Sequence, residues 1–186
     1  MKVLIVDNYD SFTFNLYHYV MQFNSDVTVL KNDKVDLDSL EGFDKIILSP
    51  GPGLPYEHKN LNDIIKMTIH KPLLGVCLGH QAIAEYFGAR LINLDDVNHG
   101  VTTEISIINE DYLFKNIPIN TNVGLYHSWV VDRRDFPECF EITSVNKEGF
   151  ISSFKHKELD FKGVQFHPES ILTDCGLKMI ENWIKN

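Results

Sequence analysis

The sequence predicts an α/β fold: a mostly parallel sheet flanked by helices on both faces, with a small antiparallel sheet added. Three features point there. Short apolar runs alternate with stretches of helical periodicity through the first half of the chain. The second half changes to alternating apolar and polar residues, the pattern of half-buried antiparallel strands. Between them, Gly75-Val76-Cys77-Leu78-Gly79 joins an apolar run to a helical pattern and sets one cysteine between two glycines, as in a strand-to-helix elbow.

The elements follow in order. Val3–Val6 is an apolar run suited to a buried parallel strand. Phe12, Asn15, Leu16, Tyr19, Val20 and Phe23 recur at helical spacing, with Asp10 or Ser11 as the expected N-cap. Val27–Leu30 and Lys45–Leu48 are the next strands, the latter ended by Ser49-Pro50-Gly51-Pro52-Gly53. Leu61, Ile64, Ile65, Thr68 and Ile69 mark a helix. Leu73–Val76 feeds Cys77, and His80–Phe87 is the helix that leaves it, with Gly88 beyond its end. Val101, Thr103, Ile105 and Ile107 alternate, as do stretches of Phe140–Val145 and Phe150–Phe154, with Asn146-Lys147-Glu148-Gly149 as a hairpin turn. Gly163–Phe166 returns to the core as a strand, and Leu177, Ile180, Trp183 and Ile184 give a closing helix one apolar face. No repeat or linker breaks the pattern, so residues 1–186 are expected to form one domain. Its ligands should bind at the carboxyl ends of the parallel strands, where Gly53 and Cys77 both sit.

Charge and composition narrow the partners. The net charge is −9 and the pI about 5.3. The only adjacent basic pair, Arg133-Arg134, is flanked by Asp132 and Asp135, so neither nucleic acid nor an anionic membrane is an expected partner. No apolar run approaches membrane-spanning length, and Val3–Val6 is too short for a signal-peptide core. Cys77, Cys139 and Cys175 are odd in number and widely spaced, which fits neither a disulfide framework nor a Cys-x-x-Cys metal site. Cys139 and Cys175 read as small apolar fillers. A chain that needs a free thiolate belongs in a reducing compartment, so the cytoplasm is expected.

The elbow makes Cys77 a candidate nucleophile. Gly75 and Gly79 suit it because a β-carbon at either place would crowd the turn. The helix that follows aims N–H groups and its positive end at the sulfur, a setting that suits a reactive cysteine. His167-Pro168-Glu169 supplies a base. In extended backbone His167 and Glu169 project to the same side, and Pro168 favours that backbone. Glu169 would orient one imidazole nitrogen while the other faces sulfur, which is the logic of a triad. An isolated His-x-Glu would more simply be a solvated strand end; beside a thiol elbow the catalytic reading is the better one.

Gly75–Gln81, Val164–Ser170 and Ser49–Gly53 together resemble the class I (triad) glutamine amidotransferases, whose fold is flavodoxin-like. Asp7–Thr13, Tyr126-His127-Ser128 and His156-Lys157-Glu158-Leu159 narrow the resemblance to the glutaminase subunits of anthranilate synthase and aminodeoxychorismate synthase. It runs from residue 3 to about residue 184. The resemblance implies a Cys77, His167, Glu169 triad, with the Gly53 and Leu78 N–H groups as oxyanion hole. It implies glutamine binding by Gly51, Pro52, Gly53, Gln81, Ser128 and the backbone of Trp129. Taken alone, Ser49–Gly53 is a tight turn, Gln81 a surface helix residue and Ser128 a turn residue.

The same resemblance implies a partner, a chorismate-utilising synthase subunit that makes anthranilate for tryptophan or aminodeoxychorismate for folate. The alternatives are a subunit shared by both branches, a free-standing hydrolase and a non-catalytic regulatory subunit. No metal or organic cofactor is required for glutamine hydrolysis, and magnesium is expected only in the partner. Asp7–Thr13 is either a partner-facing segment or simply a strand end with a helix cap. Val101 and Trp129 depart from the family pattern, where lysine often follows His99-Gly100 and leucine usually follows the serine; both bear on the pocket rim and partner surface. His80 reads as a structural neighbour of the site. His18, His58, His70, His127 and His156 lack metal-ligand spacing, so structural or surface roles are expected.

Overall fold

The computed structural model describes residues 1–186, apart from the side chains of Asp96 and Asn98. In chain order the strands are β1 (Val3–Asp7), β2 (Val27–Lys31), β3 (Lys45–Leu48), β4 (Leu73–Val76), β5 (Leu91–Ile107), β6 (Asn120–Val131), β7 (Phe140–Asn146), β8 (Ile151–His156) and β9 (Phe161–Val164). The helices are α1 (Thr13–Met21), α2 (Leu61–Met67), α3 (Leu78–Tyr86) and α4 (Gly176–Lys185). All strands join one nine-stranded sheet in the order β2-β1-β3-β4-β9-β8-β7-β5-β6. β1 pairs in parallel with β2 and β3, β3 with β4, and β4 with β9. Beyond β9 every pairing is antiparallel. The added antiparallel strands therefore continue the parallel ones edge to edge, and β9 is the seam.

Strand alternation divides the parallel half between two cores. Leu4, Val6, Ile46 and Leu48 pack on one face with Ile64 of α2 and Leu78 and Ile83 of α3. Val3, Ile5, Ile47 and Val76 face the other way, against Leu16 and Val20 of α1 and Ile180 and Trp183 of α4. Both faces being covered, β1 is a continuous apolar run with Val3 to Val6 at 0% exposure. Each such side chain contributes about 1.5–3 kcal/mol of burial. No helix among the described residues is long and apolar enough to cross a membrane.

Three local expectations need correction. The N-cap of α1 is Phe12, with no side-chain cap bond. Asp10 accepts from the Phe12 N–H at 2.8 Å. Asp7 Oδ1 is the organising acceptor, taking the Tyr9 N–H at 2.9 Å, the Asp10 N–H at 3.2 Å and the Thr13 hydroxyl at 2.9 Å. β6 is a full strand that the alternation in the sequence does not announce, because Asn120, Asn122, Gly124 and Ser128 dilute it. β5 is longer than Val101–Ile107, and its pairing with β6 slips between Asn93 and Asn98 and again between His99 and Val101. Those irregularities break the period-two pattern that a sequence reading relies on. The hairpin turn stands: the Gly149 N–H donates to Asn146 O at 3.0 Å.

Candidate active site

Cys77 closes β4 and starts α3 at φ +51°, ψ −99°, a backbone region that costs a non-glycine residue about 1–3 kcal/mol. The neighbouring packing holds it there. A β-carbon on Gly75 would strike the Gly79 carbonyl and come within 2.6 Å of the His80 nitrogen. One on Gly79 would strike the Leu48 carbonyl and come within 2.7 Å of its Cβ. The Cys77 N–H donates to Val164 O at 2.8 Å, and the Gln81 N–H donates to Cys77 O at 3.1 Å. The elbow is thus tied to β9 on one side and to its own helix on the other.

His167 and Glu169 do meet, though on a turn and not on a strand. β9 ends at Val164, and the Ser170 N–H donates to His167 O at 3.2 Å, with Pro168 inside the turn it closes. The His167 N–H donates to Gly124 O at 3.1 Å, so the turn is anchored to β6. Within it His167 Nδ1 lies 2.8 Å from Glu169 Oε1, with the two side chains 2% and 0% exposed. Burial alone would lower the imidazole pKa; the Glu169 carboxylate and the adjoining Cys77 outweigh it, and the result is well above the ordinary histidine value. The other nitrogen, Nε2, is buried with no protein partner at hydrogen-bonding geometry. Phe12 and Tyr126 pack edge-on against the ring, at centroid separations of 5.4 and 4.8 Å.

Gln81 is a buried residue, 3% exposed, and not a surface one. Its Nε2 donates to Trp129 O at 2.8 Å and to Gln165 Oε1 at 3.1 Å. A backbone carbonyl only accepts, so the first bond fixes the Gln81 amide and the second then fixes Gln165. Gln165 Nε2 is left turned toward Cys77 Sγ, 3.6 Å away. The sequence reading passed over Gln165. The available signal was an amide among Gly163, Val164 and Phe166, at a strand end otherwise apolar.

Ser128 and Trp129 lie on β6 and not in a turn. A cavity of about 210 Å³ is lined by Gly51, Pro52, Gly53, Cys77, Leu78, Gln81, Ser128 and Trp129, together with Val97, His99, Tyr126 and His127. A wider cleft of about 800 Å³, around Ile107, Asp111 and Lys162, contains none of these residues. The smaller cavity is the one that opens on a nucleophile. His127 is buried in its wall, and burial, with the nearby His167, lowers its pKa to about 4. His80 lies fully buried on α3, with its ring 4.6 Å from that of Phe154, and burial lowers its pKa to about 3. Both imidazoles are therefore neutral at ordinary pH. Val101 is 41% exposed on β5 and lines a separate cleft with Leu94, Thr103 and Phe150, so it does not line the Cys77 cavity.

The chain as a whole has counterparts among known proteins. The profile of the family described as glutamine amidotransferase class-I matches residues 4–186. The chain is 42% identical to aminodeoxychorismate synthase component 2 of Klebsiella aerogenes, over 98% of each chain. It is 40% identical to anthranilate synthase component 2 of Pyropia yezoensis, again over 98% of each. It is 38% identical to the aminodeoxychorismate/anthranilate synthase component 2 of Bacillus subtilis, over 98% of this chain and 95% of that one. Among solved structures, a Thermoplasma acidophilum protein described provisionally as a GMP synthase subunit superposes with a TM-score of 0.90 at 26% identity, covering 100% of this chain and 92% of the other. This chain belongs to the class I glutamine amidotransferase family.

Proposed function

We propose that this chain is the glutaminase subunit of anthranilate synthase, hydrolysing glutamine and delivering ammonia to a chorismate-utilising synthase subunit. The observation that carries the reading is the buried His167–Glu169 pair, 2.8 Å apart, beside a cysteine held at φ +51°. Cys77 Sγ attacks the side-chain amide carbon of glutamine as its S–H proton passes to His167. The carbonyl oxygen becomes an oxyanion that accepts from the Gly53 and Leu78 N–H groups, each such donor being worth about 3–4 kcal/mol. His167 gives its proton to the departing nitrogen, the C–N bond breaks, and a γ-glutamyl thioester remains. His167 then takes a proton from water, which cleaves the thioester and frees glutamate and the thiol. Glu169 keeps the imidazole oriented through both halves.

The glutamine is held by Gly51, Pro52, Gly53, Gln81, Ser128 and Trp129. With both hydrogens of its Nε2 engaged, Gln81 offers only Oε1 and so accepts from an N–H of the substrate. Sulfur, imidazole and backbone N–H groups supply the chemistry, which asks for no metal or organic cofactor; magnesium belongs with the partner. Free ammonia would be protonated and lost in bulk water, so the site is useful when docked to its acceptor enzyme. A thiol nucleophile suits the reducing cytoplasm.

A second reading, the glutaminase of aminodeoxychorismate synthase or a subunit shared by both enzymes, is favoured by relatives that carry both names at 38–42% identity. The test is glutamate release from glutamine as the chain is titrated with chorismate and each synthase subunit. Only the anthranilate-forming subunit is expected to stimulate release. Stimulation by the other alone, or by both, selects the second reading. Cys77→Ala should abolish turnover while leaving affinity for the synthase subunit unchanged, and turnover surviving in that variant would sink the mechanism.

A further inference from the structure

We infer that Glu57 and His58 are positioning residues that aim the Gly53 N–H into the cavity; the inference rests on the glutaminase reading above. The peptide joining Pro52 to Gly53 is a single plane, with its carbonyl and its N–H pointing in opposite directions. His58 Nε2 lies 2.7 Å from Pro52 O. Neither Glu57 nor His58 lines the cavity, whereas Pro52 and Gly53 do. A Pro52 carbonyl turned outward to His58 turns the Gly53 N–H the other way, toward Cys77.

The proton on His58 is placed by a network that starts in the same loop. Ser49 O only accepts, so it is Asn8 Nδ2 that donates to it, at 2.8 Å. Asn8 Oδ1 then accepts from Asn32 Nδ2 at 3.0 Å. The same Asn32 nitrogen lies 3.0 Å from His58 Nδ1, which must accept. The imidazole proton therefore sits on Nε2 and is donated to Pro52 O. Both ends of this relay are carbonyls of the Ser49–Gly53 loop, and Asn8 and Asn32 within it are 0% and 2% exposed.

The peptide that follows is tied as well. The Leu54 N–H donates to Glu57 Oε2 at 2.6 Å, and the same carboxylate fills the space that a β-carbon on Gly53 would take. The planes on both sides of Gly53 are thus held from the turn at Pro55–Glu57. That restraint matters because Gly53, at φ +71°, has no side chain to resist rotation of either plane. An oxyanion donor contributes in full only when it is aimed before the charge develops.

The test uses the full chain and its His58→Ala, Glu57→Ala and Glu57→Gln variants, with two probes. Glutamate γ-semialdehyde adds the Cys77 S–H across its carbonyl, and the hemithioacetal oxygen occupies the oxyanion hole. Iodoacetamide alkylates Cys77 by displacing iodide and makes no oxyanion there; the product is read on the Cys77 peptide by mass spectrometry. Both alanine variants should bind the aldehyde about ten- to a hundredfold more weakly and lose kcat by a similar factor, with KM little changed. Alkylation should keep its wild-type rate, and Glu57→Gln, which retains an acceptor, should stay within about twofold of wild type on the same scale. Undiminished aldehyde affinity in His58→Ala overturns the inference, as does alkylation that slows in step with it. A wild-type chain that is alkylated yet neither binds the aldehyde nor hydrolyses glutamine with either synthase subunit overturns the glutaminase reading itself, and the inference falls with it.

Discussion

The two walls of the cavity obey different rules. One wall, Cys77 to Gln81, is a backbone object: a strained residue between glycines whose missing β-carbons let α3 sit on β3 and β4. The opposite wall, Tyr126 to Trp129, belongs to a strand that an amide chain couples to the nucleophile. Gln81 bonds Trp129 from 48 residues away and Gln165 from 84 residues away. Backbone packing admits or refuses a methyl group outright, whereas a side-chain network loses strength bond by bond. Damage to the first wall should therefore be abrupt and damage to the second graded.

The largest effect is expected from Gly79→Ala. Its β-carbon would enter the Leu48 backbone, and β3, paired on both edges by β1 and β4, has no room to retreat. Stability should fall by more than about 3 kcal/mol, or the chain should fail to fold, as followed by urea unfolding. Gly88→Ala at the other end of α3 is the matched control. Nothing lies within 4 Å of the added carbon, and only the φ of +95° opposes it, so about 1–2 kcal/mol should be lost. Equal losses at the two glycines would end the distinction between packing and conformation drawn here.

Glu169→Gln acts on chemistry more than on folding. The carboxylate is what sustains the raised imidazole pKa against burial, so its removal should let that pKa fall and reduce kcat/KM by about a hundredfold or more. The sign of the linked stability follows. A histidine raised above its unfolded value of 6.5 contributes stability that is complete below that value and fades as pH rises through the folded pKa. Wild type should thus lose stability on the alkaline side of neutrality, and Glu169→Gln should lose less there. Parallel stability curves for the two proteins on that side would contradict the pairing.

Gln165→Met keeps the volume of the side chain and removes its N–H. A hydrogen bond to a charged acceptor contributes about 1.5–3 kcal/mol. Alkylation of Cys77 should slow about tenfold once the sulfur loses the N–H turned toward it. A variant that reacts at the wild-type rate would make the 3.6 Å contact a matter of packing only.

The same contrast explains what could be read in the chain. Cys77 and its two glycines were legible because a short-range steric rule produces them, and residues that obey such rules stand adjacent in sequence. The parallel strands were legible because burial on both faces makes them uniformly apolar, as at Val3–Val6. β6 was not, since Asn120, Asn122, Gly124 and Ser128 dilute its apolar residues with types that strands disfavour. Glu169 was placed for the wrong reason: an extended backbone and a proline turn both bring it to His167, and sequence does not distinguish them. Gln165 and His58 stayed hidden because their significance lies in partners distant along the chain: Cys77 for the first, and for the second Asn32, which fixes the proton that His58 donates to the nearby Pro52 carbonyl.

The change that separates the walls from the core beneath them concerns His80. Like His167 it is buried, but burial lowers its pKa from 6.5 to about 3 and leaves it uncharged. Between those two values the unfolded chain binds a proton at this residue and the folded chain does not. Stability must then fall with falling pH across that window, by about 1.4 kcal/mol per pH unit for the single group. His80→Leu removes the titration and keeps an apolar side chain against Phe154, so urea unfolding between pH 6 and 4 should show a shallower acid slope by roughly that amount. The absolute stability at pH 7 is the less useful number, since a changed shape beside Phe154 and Gly163 shifts it for reasons unrelated to charge. An unchanged slope would mean that His80 takes up its proton in the folded state, and that the core under the elbow is open enough to hydrate it.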